Sequence, residues 1–185
     1  MRGRFFPFIY GLVIPVILVL WSCGQQESTK NGQAAENRIV QQPDGTISLK
    51  IEKAVCYNDA VNPSNNTADW NVVISKPGRF KVWLSSATKD TSGLRYSSSV
   101  KVNILDDHLE VNPAIDKVVH NSGDVPQSYF RADSYVGSFY VQEPGEYNIQ
   151  VISDKVIARN AASNNASQHH DDTMLLSVIL TPAIR

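Results

Sequence analysis

From Thr46 onward the chain breaks into short runs in which apolar residues recur at every second position, and this constrains its fold more than any other feature. The runs are "TISLKIEKAV", "WNVVIS", "RFKVWLS", "SSVKVNIL", "YVGSFYV", "EYNIQVIS" and "TMLLSVILT", each bounded by turn-forming residues. A period of two is that of a strand with one face buried, and almost no window carries a helical period. The series therefore predicts an all-β, antiparallel β-sandwich over residues 46–185. Phe80, Val82 and Leu84 should face the core, as should Val100, Val102 and Ile104, and Tyr147, Ile149 and Val151. Two hairpins share one device, Pro-Gly followed by a charged residue and an aromatic, in "KPGRF" and "EPGEY". Proline presets the first corner and glycine accepts positive φ at the next, as a type II turn requires. In the last run Met174, Leu176, Val178 and Leu180 alternate on one side while Leu175 and Ile179 are apolar on the other. That strand should be covered on both faces.

The N-terminus has a different character. "MRGRFFPFIYGLVIPVILVLWSC" places two arginines before an uncharged run from Phe5 to Trp21, the layout of an export signal. Leu20 and the small Ser22 directly before Cys23 resemble the lipobox of bacterial lipoproteins. That resemblance implies a signal peptide at 1–22 and a diacylglycerol on Cys23. The other reading is an uncleaved anchor, since the run is nearly long enough to span a bilayer. Both readings tether the chain to a membrane, and the lipoprotein resemblance implies the bacterial cell envelope, lipid-anchored at the outer membrane, with the leaflet open. Residues 23–45 are polar and rich in Gln, Asn and Gly, which predicts a flexible tether. A chain of that size has an r.m.s. span of about 25 Å.

Cleavage before Cys23 would leave about 160 residues, enough for one domain with a substantial core. It would also remove Arg2 and Arg4, moving the formal net charge from −1 to about −3. An acidic chain makes nucleic acid a poor partner. Of the two cysteines, Cys56 would remain, so no internal disulfide is expected. Its apolar neighbours in "KAVCYND" mark it as a small hydrophobe rather than a nucleophile.

The segments "TISLKIEKA", "ADWNVVISKPGRFKVWLSSA", "VPQSYFRADSYVGSFYVQEPGEYNIQV" and "LLSVILTP", in that order, resemble the galactose-binding-like jelly-roll domains. Among these the chain is most similar to accessory carbohydrate-binding modules of secreted bacterial glycoside hydrolases such as α-L-fucosidases. The likeness covers about residues 46–182. It implies a glycan held among loops at one end of the sandwich or on a sheet face. It implies, too, a structural calcium in many relatives, bound by a glutamate of the first strand and an aspartate of the last. Glu52 matches the former, but Leu175 and Leu176 stand near the latter, so no metal is expected.

Sugar recognition needs an aromatic ring for the apolar face of a pyranose and polar groups for its rim. Segments 57–69, 86–96 and 153–172 are long and polar, and they should share the end opposite the Pro-Gly hairpins. They offer Tyr57, Asn58, Asp59, Arg95, Tyr96, Asn164, Asn165, His169 and Asp171 as candidate ligand-binding residues. The competing reading makes these loop residues turn formers and rim covers. Trp83 raises a second possibility, because alternation puts it on the face opposite Phe80, Val82 and Leu84. There it would share a polar surface with Lys81, Lys101, Asn103, Tyr140, Asn148 and Gln150, and with Tyr140 it could form a stacking platform. Alternatively it packs beneath the irregular stretch 109–135. Trp70 belongs to the core.

"HHDD" at 169–172 and "DDH" at 106–108 carry metal-ligand types, but adjacent residues seldom converge on one ion, and the second reads as a hairpin turn. No nucleophile elbow, phosphate loop, zinc-protease helix or dinucleotide fingerprint occurs, so neither catalytic residues nor a cofactor are expected. The residues thus favour a membrane-anchored, non-catalytic binder of oligo- or polysaccharide, with a glycoside hydrolase as a second candidate partner. A structural or protein-interaction module without its own sugar site is the alternative.

Overall fold

The computed structural model describes residues 38–156 and 173–183. The expected leader, Cys23 and most of the expected tether lie outside these residues, as do Asn164, Asn165, His169 and Asp171. The described residues form a mainly antiparallel β-sandwich of eleven strands. These are β1 (Arg38–Val40), β2 (Ile47–Lys50), β3 (Val55–Tyr57), β4 (Thr67–Ile74), β5 (Gly78–Thr88), β6 (Val100–Ile104), β7 (Asp107–Val111), β8 (Lys117–Val119), β9 (Phe130–Val141), β10 (Gly145–Ile152) and β11 (Thr173–Pro182). The six-stranded sheet runs β1-β4-β10-β6-β7, with β3 also on β4, and the five-stranded sheet runs β2-β11-β5-β9-β8. Among the described residues helix is limited to two single 3-10 turns, Ile51–Lys53 and Pro63–Asn65.

The alternation read from the sequence builds the core. Trp70, Val72 and Ile74 of β4, Val102 and Ile104 of β6, and Ile149 and Val151 of β10 meet Phe80, Val82 and Leu84 of β5 and Val178 and Leu180 of β11. Each such aliphatic or aromatic side chain contributes about 1.5–3 kcal/mol on burial. Trp70 is 1% exposed, and its indole Nε1 donates to the Lys50 carbonyl at 2.9 Å. That bond ties the core to the 3-10 turn that follows β2.

Two bulges bend the simple pattern. Opposite β5, the register of β11 slips between Leu175 and Ser177. Leu175 thereby enters the core while Met174 and Leu176 stay half-buried, which corrects the expected side for all three residues. β11 lies between β2 and β5, and its Ile179 is half-buried on the outer face. A second slip sets Val82 against Gly137 but Trp83 against Tyr135. Gly137 has φ 152°, and a Cβ there would lie 3.0 Å from the Leu109 side chain. Glycine at this bulge lets β7 close over β9.

Three further expectations change. Of the two Pro-Gly corners, Gly78 has positive φ, at 148°, whereas Gly145 does not. The stretch 109–135 is not wholly irregular, since it holds β8 and the first half of β9. Residues 38–45, expected in the tether, are part of the sandwich. β1 pairs in parallel with β4, and the buried Gln41 side-chain oxygen accepts from Ser75 N and Lys76 N at 3.0 and 2.7 Å. Its amide donates to the Gly45 carbonyl at 2.9 Å. A polar average over the window hides one amide that satisfies several backbone groups.

Candidate functional site

The described parts of the three long segments meet at one end, and hydrogen bonds join them; residues 157–172 lie outside the described residues. Asn66 Nδ2 donates to the Val156 carbonyl at 2.9 Å, Ser97 N donates to Asp154 Oδ2 at 3.1 Å, and Arg95 N donates to Thr173 Oγ1 at 3.0 Å. The residue types expected to bind sugar are largely engaged in holding this end together. Asp59 accepts from Val61 N and Asn62 N, both at 2.9 Å, and from Asn65 Nδ2 at 3.1 Å. These bonds, the Asn62 amide first, hold its carboxyl below the usual carboxylate range. Arg95 lies 3.7 Å from the Asp90 carboxylate. Tyr96 packs against the core, with its hydroxyl 2.7 Å from Ser86 Oγ. Burial pushes its phenol pKa up, so the group stays a neutral hydroxyl. Tyr57, 58% exposed, and the exposed Asn58 remain open at this end.

The outer face of the five-stranded sheet is arranged differently. Because Val82, Leu84, Val178 and Leu180 point inward, their neighbours form two adjacent cross-strand rows outside. One row is Lys50, Ser177, Ser85 and Asp133; the other is Ser48, Ile179, Trp83 and Tyr135. Trp83 is half-buried here, tilted 57° against Tyr135 with ring centroids 5.1 Å apart. Lys81 and the exposed Tyr140 share this strand face, as expected. Lys101, Asn103, Asn148 and Gln150 do not, because β6 and β10 belong to the other sheet. Alternation assigns a face within each sheet and does not say which sheet a strand joins.

Beside the aromatic pair lies a groove of about 440 Å³, a size at which pockets hold small ligands. Ser48, Lys50, Ile51 and Glu52 line it together with Leu176, Ser177, Ile179 and Ser85, and with Gly123, Asp124 and Arg131. A charged network underlies it. Arg131 Nε and Nη2 donate to the two oxygens of Asp133, each at 2.9 Å, and Nη1 donates to Asp124 Oδ2 at 3.1 Å. Ser85 Oγ donates to Asp133 Oδ1 at 2.5 Å. The side chains of Arg131 and Asp133 are 22% and 11% exposed, so the pair is largely withdrawn from water. Its bonds to Asp133 raise the guanidinium pKa still further. Asp116 steadies the same edge, its carboxylate accepting from Tyr135 N at 2.6 Å beside the bulge.

Arg131, Asp133, Asp124, Ser85 and Tyr135 are not among the sequence candidates. A signal existed in "FRADSY", where Arg131, Asp133 and Tyr135 fall at i, i+2 and i+4 on one strand face.

On the six-stranded sheet, Asp69, Gln150, Asn103 and His108 form a cross-strand row, with Asn103 Nδ2 donating to Gln150 Oε1 at 3.1 Å. Asp69 Oδ1 has no hydrogen-bond partner. Desolvation pushes the Asp69 carboxyl pKa up against a bond from Gln150. Nearby Cys56 is half-buried, and its thiol is pushed up by burial and then by Asp69, which fits an unreactive residue. Leu105 and Asp106 form the β6–β7 turn, with φ 53° at Leu105, so the "DDH" run is a hairpin corner. Among the described residues no three His, Cys, Asp or Glu side chains gather as a metal site.

No family model matches the chain, and no curated protein matches it. Among solved structures it is similar to an alpha-L-fucosidase from Vibrio sp. strain EJY3, with a TM-score of 0.62 and 20% identity, covering 80% of this chain and 24% of that one. A GH26-CBM35 beta-(1,4)-mannanase of Podospora anserina aligns at a TM-score of 0.46 and 11% identity, over 77% of this chain and 28% of that one. The chain thus spans about a quarter of the length of these glycoside hydrolases. At such identity the fucosidase likeness concerns fold, and it agrees with the β-sandwich read from the sequence.

Proposed function

We propose that this chain is a non-catalytic carbohydrate-binding lipoprotein of the bacterial cell envelope, and that glycan lies along the outer face of the five-stranded sheet. The observation that carries the site is the half-buried Trp83 paired with the exposed Tyr135, in a cross-strand row whose Ser48 and Ile179 also line a groove with serine hydroxyls and charged groups. Aromatic rings accept the C–H face of a pyranose, and the adjacent row offers donors and acceptors to its hydroxyls. The loop end is the weaker candidate, because Asp59 and Tyr96 are engaged in its own structure. The anchor reading rests on Leu20, Ser22 and Cys23. A glycoside hydrolase working beside the module would fit the same role.

A glycan array with the chain from residue 24 onward tests the binding. Saturable binding that Trp83→Ala abolishes in a protein that melts normally supports the reading. Absence of binding to any glycan favours a structural or protein-interaction module instead. Palmitate labelling tests the anchor, and label lost in Cys23→Ala is the expected result.

A further inference from the structure

The groove contains a guanidinium, which would ordinarily suggest recognition of an acidic sugar, but this one is already occupied. Arg131 turns its Nε–Nη2 edge to both oxygens of Asp133 and gives Nη1 to Asp124, so each nitrogen already donates to a carboxylate and the guanidinium charge is countered by two of them. The other cation on the lining is Lys50, and Glu52 follows it two residues later on the same wall. With Asp133 beneath, two cations face three carboxylates. A uronate or sulfated unit would bring a further negative charge into a partly desolvated site with a net negative balance, where repulsion is weakly screened. A neutral sugar meets no such barrier. Its hydroxyls can donate to Glu52 and accept from Lys50 and from the Ser48 and Ser177 hydroxyls.

We propose that the groove selects uncharged glycans and rejects carboxylated or sulfated ones, with neutralisation of Arg131 by Asp133 and Asp124 as the determinant. This rests on the groove being the glycan site. The selectivity arises from charges set against a wrong ligand as much as from contacts to the right one.

The full chain in detergent can be immobilised and titrated with neutral polysaccharides (a galactomannan, a xylan, a β-glucan, a galactan) and acidic ones (polygalacturonate, alginate, a sulfated galactan). Polygalacturonate and its fully methyl-esterified form provide a pair that differs in charge. The expected result is at least tenfold tighter binding to one or more neutral chains than to any acidic one. Tightest binding to an acidic chain would overturn the charge selectivity while leaving carbohydrate binding intact. Binding to none would overturn the glycan reading and the selectivity with it. Asp124→Asn keeps the Asp133 bonds to Arg131 and should narrow the neutral-to-acidic ratio at least threefold; an unchanged ratio would contradict the role given to Arg131.

Discussion

The loop end and the outer face of the five-stranded sheet offer similar residue types, yet they use them in opposite ways. At the loop end, Asp59 and Asn66 bond backbone groups of their own or neighbouring loops, and Tyr96 turns its hydroxyl inward to Ser86. On the sheet face, Asp133 accepts from Arg131 along β9 and from Ser85 across on β5, and a groove lies above them. Loops have many orphan amides near each Asn or Asp, so these side chains are consumed locally. A strand's amides are already paired in the ladder, so its outward polar side chains are free to build a site.

The largest effect should come from removing the aromatic support of the loop end. Tyr96→Ala empties a position packed against the core and should cost about 3–4 kcal/mol, with affinity for glycan unchanged. Chemical denaturation beside a binding titration checks both parts. Next, Arg131→Ala should destabilise by about 2–3 kcal/mol, because Asp133 is left largely buried without its cation. Unlike Tyr96→Ala, it should also alter binding. Tyr96→Phe removes only the bond to Ser86 and should cost about 1 kcal/mol. A loss as great as that of Tyr96→Ala would show that the hydroxyl, not the ring, holds this end.

The smallest effect is electrostatic and lies outside both regions. Asp69 has a folded-state pKa raised by desolvation, so as pH rises the unfolded chain ionises it first and the folded state carries the penalty. Asp69→Asn should therefore raise stability at pH 7, by less than about 1 kcal/mol given its solvent exposure, and leave it unchanged near pH 3. Melting temperatures at the two pH values measure this.

Much of the sandwich was legible in the sequence. Runs such as Phe80, Val82, Leu84 and Val100, Val102, Ile104 report their own burial through period two, and the meeting of Asn66 and Ser97 with residues 154–156 agrees with the hairpin placement. The bulges at β11 and β9 were not legible, because one inserted residue reverses the faces of those beyond it. Strand order is hidden as well, so alternation alone puts Lys101 and Asn148 on one face with Trp83 although their strands belong to the other sheet. The sheet-face network is hidden for the same reason. Ser85 and Asp133 are 48 residues apart and meet only because β5 pairs with β9. Trp83, apolar on a polar face, was the visible trace of that site.

The placement of the site is tested most directly by comparing two aromatic substitutions in one binding assay. Trp83→Ala and Tyr57→Ala can be titrated by calorimetry against the best glycan found on the array, with melting curves recorded for each. Trp83→Ala should weaken binding at least tenfold, within the range of about 1–3 kcal/mol expected for a hot-spot aromatic, while Tyr57→Ala stays within twofold of wild type. Tenfold loss in Tyr57→Ala with full binding by a folded Trp83→Ala would put the glycan at the loop end and contradict the account.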